Sequence, residues 1–262
     1  MSAMTPVLFG LLLVTVGCSD LPETATPAPT FDHSTWNDLV RRHVDDQGGV
    51  GYAALARDPA ELDRYVAALA GAPIDQLPRD EKLALLINAY NAFTLRLILD
   101  YWDDGRLKSI KDIPGSKRWK HVRWRVGPHT WSLNQIEHEQ IRPVFDEPRI
   151  HFALVCAAAS CPKLRNEAFV ANRLEEQLED QTRDTHRHPK WLEYDVRKRT
   201  VHLTKLYDWY GEDFADDTDG ILEYVARYAP DVAAARKRGE RIRRRWLRYD
   251  WALNLRRTDE RE

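Results

Sequence analysis

A helix-rich single domain with a few short strands is the fold this sequence predicts, and three observations predict it. Between residues 79 and 101 apolar side chains recur at helical spacing and fill most of the gaps as well, the mark of a central helix buried on most sides. Residues 191–195 and 200–203 alternate as strands around the polar turn 196–199, the best hairpin in the chain. No repeat or internal linker divides residues 34–262, so one domain is the economical reading.

Composition agrees: 43% hydrophobic and 31% charged is a globular balance. Lys+Arg at 39 nearly cancel Asp+Glu at 41, so charge names no nucleic-acid partner. At the N-terminus, residues 7–16 form an apolar run shorter than the about 20 residues needed to cross a bilayer. It ends in Gly17-Cys18-Ser19, which resembles the cleavage and lipidation site of a bacterial lipoprotein, although no Lys or Arg precedes the run and Thr15 replaces the usual leucine. The resemblance implies a signal peptide over 1–17, a lipid on Cys18, and a flexible Pro-, Thr- and Ala-rich tether over 18–33. It also implies attachment to a membrane of the bacterial cell envelope, facing the periplasm or the exterior.

Along the domain, residues 36–44 and 60–70 read as amphipathic helices, the second with Pro59 at its start. Within the central helix Asn88 and Asn91 stand three apart among apolar residues, where an unpaired amide costs about 1–3 kcal/mol. Each alone is most simply bonded to backbone; together they suit an imidazole or a substrate carbonyl. Residues 119–126 alternate as a half-buried strand, and Ser132 caps a helix carrying Glu137, His138 and Arg142. On an α-helix Glu137 and His138 point apart, so one of them, Glu137 facing His151, is the sharper candidate. Residues 150–156 read as a buried strand that brings His151 and Cys156 to the core and ends in a small-residue turn with Cys161. Asn166 is expected to cap a charged helix reaching about residue 186, and the basic run 236–245 to be a solvated helix face. With Cys18 lipidated, Cys156 and Cys161 remain, and an oxidising compartment makes a disulfide between them a competitor to catalysis. No second paired-ligand motif accompanies them, so neither metal nor cofactor is expected.

Ile87-Asn88-Ala89-Tyr90-Asn91-Ala92, Ile136-Glu137-His138 with Arg142, Pro148-Arg149-Ile150-His151 running on to Cys156, Ser160-Cys161-Pro162, the run 206–214 and Tyr249-Asp250-Trp251-Ala252-Leu253-Asn254 stand in one order. Together they resemble the domain of unknown function 547 family, over about residues 51–254. The resemblance implies an α+β fold, helix-rich around a small antiparallel sheet, related in outline to papain-like and transglutaminase-like thiol enzymes. In those enzymes the nucleophilic cysteine opens the central helix; this helix carries none.

Two functions stay open. In one, an acyl-transfer enzyme acts on a peptide or another envelope substrate: Cys161 is the nucleophile, His151 its base and acid, Glu137 holds the imidazole's tautomer, and Asn88 or Asn91 donates to the oxyanion. In the other, an envelope binding or scaffold domain is stapled by a Cys156–Cys161 disulfide, and His151 is a hydrogen-bonded core residue.

Overall fold

The computed structural model describes residues 28–256. The expected signal peptide, Cys18 and most of the tether lie outside them. Element order is α1 (Ser34–His43), α2 (Tyr52–Arg57), α3 (Ala60–Leu69), α4 (Arg79–Asp100), β1 (Trp124–Val126), β2 (His129–Trp131) and α5 (Leu133–Gln135). A π-helical turn, Ile136–Ile141, runs on into α6 (Arg142–Phe145), followed by α7 (Ile150–Ala153), α8 (Leu174–Arg187), β3 (Leu192–Asp195) and β4 (Thr200–Leu203). The chain closes with α9 (Leu206–Trp209), α10 (Gly211–Phe214), α11 (Thr218–Ala226), α12 (Pro230–Lys237) and β5 (Arg243–Trp246). The class is α+β.

Helix α4 is the axle of the larger apolar cluster, with Leu83 through Leu95, Leu97 and Ile98 all buried. Its length and hydropathy would also suit a membrane span, but a lipid-facing helix needs apolar exposure; burial on nearly every side makes this one a core helix. Helices α1 and α3 close one flank, stacking Trp36 on Tyr65 with ring centroids 5.6 Å apart. The β1–β2 hairpin covers another, placing Trp124 flat on Phe93 at 4.8 Å. Its turn begins at Gly127, where φ is +56° and an added Cβ would come within 2.5 Å of the Ala72 carbonyl oxygen, so only glycine fits. A second cluster gathers Phe152, Val201, Leu203, Tyr207, Ile221 and Val225 under the small sheet.

Several expectations need correction. The stretch predicted as a strand over 150–156 is the single helical turn α7, extended only from Leu154 onward. A fully apolar run of this length fits either element, and here it packs between two cores rather than against strand neighbours. The half-buried strand expected over 119–126 is ordered as strand only at Trp124–Val126. Asn166 does not cap α8; its amide bonds Asp46, and a 3₁₀ turn at Ala171–Arg173 leads into the helix. The basic run is split between α12 and β5, which pairs parallel with β4, so the three-stranded sheet is mixed rather than wholly antiparallel. A local basic pattern does not reveal that a strand can return across α9–α12 to the sheet edge.

Candidate functional site

The centre of the site is the loop that follows α7. Asn91, projecting from α4, accepts from the Val155 N–H at 2.9 Å and donates to the Ala153 carbonyl at 3.0 Å, clamping the chain where it leaves the helical turn. Asn88 grips Phe169 in the same two-handed way, at 2.7 and 3.0 Å. Each amide therefore holds backbone, and neither the imidazole nor an oxyanion is what it bonds. Beyond Cys156, Ala157 adopts a left-handed φ of +59°, costly for a residue with a Cβ, and the chain doubles back. The reversal brings the Cys161 Sγ within 3.1 Å of the Cys156 N–H.

The C-terminal run locks this loop. Ala158 bridges Leu253, the Ala159 N–H donates to the Ala252 carbonyl, and the Tyr249 hydroxyl donates to the Cys161 Sγ at 3.2 Å. The same hydroxyl lies 3.3 Å from the Cys156 Sγ. Both cysteines are free thiols in this structure, contacted by one hydroxyl and one backbone N–H. Burial pushes the Cys161 thiol up, but donors from the Cys156 side chain, Tyr249, and the backbone at Cys156 and Ala158 outweigh it, bringing the thiol down to about 7. The Cys156 thiol moves the other way, well above its ordinary range, because its S–H bonds Cys161 and because it is buried. One sulfur is set to carry the charge while the other keeps its proton.

His151 is 3% exposed, and its Nε2 lies 2.6 Å from Asp213 Oδ2. Burial raises the Asp213 carboxyl, but hydrogen bonds from His151 and Arg142 outweigh it and hold the group well below the usual carboxylate range. A carboxylate only accepts, so Nε2 carries the proton and Nδ1 is the nitrogen left as base. Arg142 grips Asp213 through two nitrogens at 2.6 and 2.7 Å and reaches Glu212 at 2.9 Å. Tyr210, in the turn between α9 and α10, stacks on the His151 ring with centroids 4.0 Å apart. The tautomer-holding part expected of Glu137 is thus filled by Asp213, which sequence reading did not single out.

Glu137 instead accepts from the Tyr90 hydroxyl at 3.2 Å. His138 accepts at Nδ1 from Arg142 Nη1 at 2.8 Å. Contrary to the expectation for an α-helix, both Glu137 and His138 line the same cavity as His151. The π turn explains it: i→i+5 bonding widens the helix and narrows the angle between successive side chains, a device frequent at functional sites.

That cavity, of about 420 Å³, is bounded by Cys156, Cys161, His151, Glu137 and His138 on one side. Trp119, Trp209, Tyr210, Tyr249 and Trp251 complete it. Among the described residues no hydrogen bond joins Cys161 to His151; they share the cavity wall rather than a contact. The site therefore unites Cys161, His151, Glu137 and Cys156, leaves Asn88 and Asn91 behind them as backbone clamps, and adds Asp213, Arg142, Tyr210 and Tyr249. The acidic–aromatic run 206–214 was the signal for Asp213, but nothing local pairs it with a histidine 62 positions earlier.

No curated protein and no solved structure matches the chain. Residues 74–184 match the model of the family described as "Protein of unknown function, DUF547", which supports that family for the segment carrying Asn88, Asn91, Glu137, His151, Cys156 and Cys161.

Proposed function

We propose that this protein is a thiol-dependent acyl-transfer enzyme, a peptide or amide hydrolase or transferase, held at the bacterial cell envelope by a lipid on Cys18. The observation that carries the reading is the Cys161 sulfur, which accepts hydrogen bonds from the Cys156 N–H and the Tyr249 hydroxyl on the wall of a cavity also lined by His151, whose Nε2 is held by Asp213. A thiol brought down to about 7 is substantially thiolate at neutral pH and needs little further activation.

In the proposed reaction the Cys161 thiolate attacks the substrate carbonyl carbon, and the carbonyl π pair moves onto oxygen. Collapse of that intermediate breaks the C–N bond. The amine leaves with a proton from His151, the one Cys161 gave up. Water or a second amine then attacks the thioester, passes its proton to Nδ1 of His151, and expels the thiolate. Asp213 keeps the imidazole in the tautomer this requires, and Arg142 keeps Asp213 ionised. Apo geometries of such pairs are commonly longer than hydrogen-bond reach and close on substrate binding.

The test is alkylation of the protein, freed of its N-terminal segment by natural processing, with iodoacetamide across pH, alongside p-nitrophenyl acetate as a generic acyl donor. We expect labelling confined to Cys161 with a midpoint near pH 7, and an acetyl group trapped on the same sulfur in His151→Ala. A protein that labels at Cys161 only after reduction, or that acetylates equally in Cys161→Ser, overturns the proposal.

A further inference from the structure

We infer that the cavity takes an acyl donor that bears a ring and an anionic group as well as the carbonyl that Cys161 attacks; this rests on the thiol reading and adds the substrate's chemistry to it. The wall of the cavity runs in one direction from the sulfur. Tyr249 touches the Cys161 Sγ, its ring lies 4.6 Å from that of Trp251, and Trp251 meets Trp119 edge-on at 6.1 Å. Trp209 packs on both Tyr249 and Trp251, at 4.8 and 5.7 Å, yet remains 42% exposed. These rings offer a ring-faced ligand a surface to lie on, and they leave one aromatic edge open to receive it.

At the far end of that wall stand two cations. The Arg118 guanidinium lies over the Trp119 ring at 5.4 Å, and Lys120 follows in sequence. Arg118 spends its Nε on the Ile113 carbonyl at 2.7 Å. Among the described residues neither Arg118 nor Lys120 reaches a carboxylate. The half-buried Arg142 and Arg149 differ, since each holds two or more. Glu137 is the carboxylate in the lining, and it is engaged with Tyr90. The cavity thus has a nucleophile at one end and an aromatic floor bordered by positive charge, Lys111 Nζ over the Trp251 ring at 3.9 Å and Arg118 over Trp119, where a half-buried guanidinium gains most from a bidentate anion.

The shared ligand chemistry is a carboxylate on a ring-bearing acyl compound, which either an acylated aromatic amino acid or a carboxylated amino sugar supplies. Binding to the full-length Cys161→Ser protein separates these sources without turnover. The probes are N-acetylphenylalanine against its amide, and N-acetylmuramic acid against N-acetylglucosamine, titrated by calorimetry. We expect the acid of one pair to bind at least about ten-fold tighter than its neutral partner, a ratio that shrinks with rising salt. The Arg118→Ala, Lys120→Ala double variant should erase that ratio. Equal binding of acid and neutral probe in both pairs, a ratio that survives in the double variant, or no binding by any probe overturns the inference. Failure of Cys161 labelling would defeat the catalytic reading alone, because the binding ratio is measured without the thiol.

Discussion

Two buried histidines border Phe152, and their surroundings differ in kind. His186 meets the Phe152 ring edge-on at 5.2 Å; His151 is its neighbour in the chain. His186 donates from Nδ1 to the Thr182 carbonyl at 2.7 Å and accepts at Nε2 from the Tyr207 hydroxyl at 2.5 Å. Both of its nitrogens are satisfied by neutral groups, and burial pushes its pKa down to about 4. His151 is as deeply buried, but one nitrogen faces an ionised carboxylate and the ring borders a cavity. Burial alone therefore says nothing about a histidine's work. The partner's charge decides it, since a carboxylate can stabilise the imidazolium that proton transfer creates and a tyrosine hydroxyl cannot.

The contrast is broken most severely at the partner. Asp213→Asn leaves an isosteric hydrogen-bonding group but removes the charge and can present the wrong tautomer to His151. We expect turnover of p-nitrophenyl acetate to fall by about 10²–10⁴-fold, the usual scale of general acid–base help, with the fold retained by circular dichroism. Tyr207→Phe, the matching change at His186, should leave turnover untouched and lower stability by about 1 kcal/mol. Equal rate losses in both variants would sink the distinction.

A smaller effect marks His186 by pH. The folded His186 pKa of about 4 lies below the ordinary 6.5. Between those values the unfolded chain takes up a proton that the folded protein refuses. The stability from neutral His186 is thus complete above 6.5 and falls as pH drops toward 4, by about 1.4 kcal/mol per pH unit. His33, also lowered to about 4 by burial, adds a second slope in the same window. Asp213 acts elsewhere: its depressed carboxyl contributes above its ordinary value of 3.8 and loses that contribution below it. Urea unfolding at several pH values from 7 to 4.5 should show His186→Asn less stable at pH 7 but with its slope reduced by one proton. Parallel slopes in the two proteins would contradict the assignment.

How much of this was legible depends on the range of the interaction. Helix α4 and the β3–β4 hairpin follow from periodicity, because both are built from near neighbours whose burial sets the pattern. The capping box at Ser132 is equally local. The cysteines and His151 were visible as rare polar groups in apolar runs. What escaped was pairing at a distance: Asp213 to His151, Tyr249 to Cys161, and β5 to β4 across four helices. Asn88 and Asn91 show the opposite case. Their burial was readable, but whether a buried amide serves a ligand or its own backbone is settled by which carbonyl happens to lie opposite, and here Phe169 and Ala153 do.

The finest test lies at the sulfur itself. Cys161 owes its lowered pKa to several donors acting against burial, so removing one should raise it in proportion and not abolish labelling. Tyr249→Phe deletes a hydroxyl at 3.2 Å while keeping the ring that packs on Trp209 and Trp251. We expect the iodoacetamide midpoint to move up by about one pH unit, equivalent to about 1.4 kcal/mol and a several-fold slower reaction at neutral pH. Cys156→Ala should shift it the same way, since it removes the S–H donor and spares the backbone N–H. A midpoint unmoved in both variants would mean that the negative sulfur is held by backbone alone, and that the Tyr249 contact serves the packing of the aromatic wall.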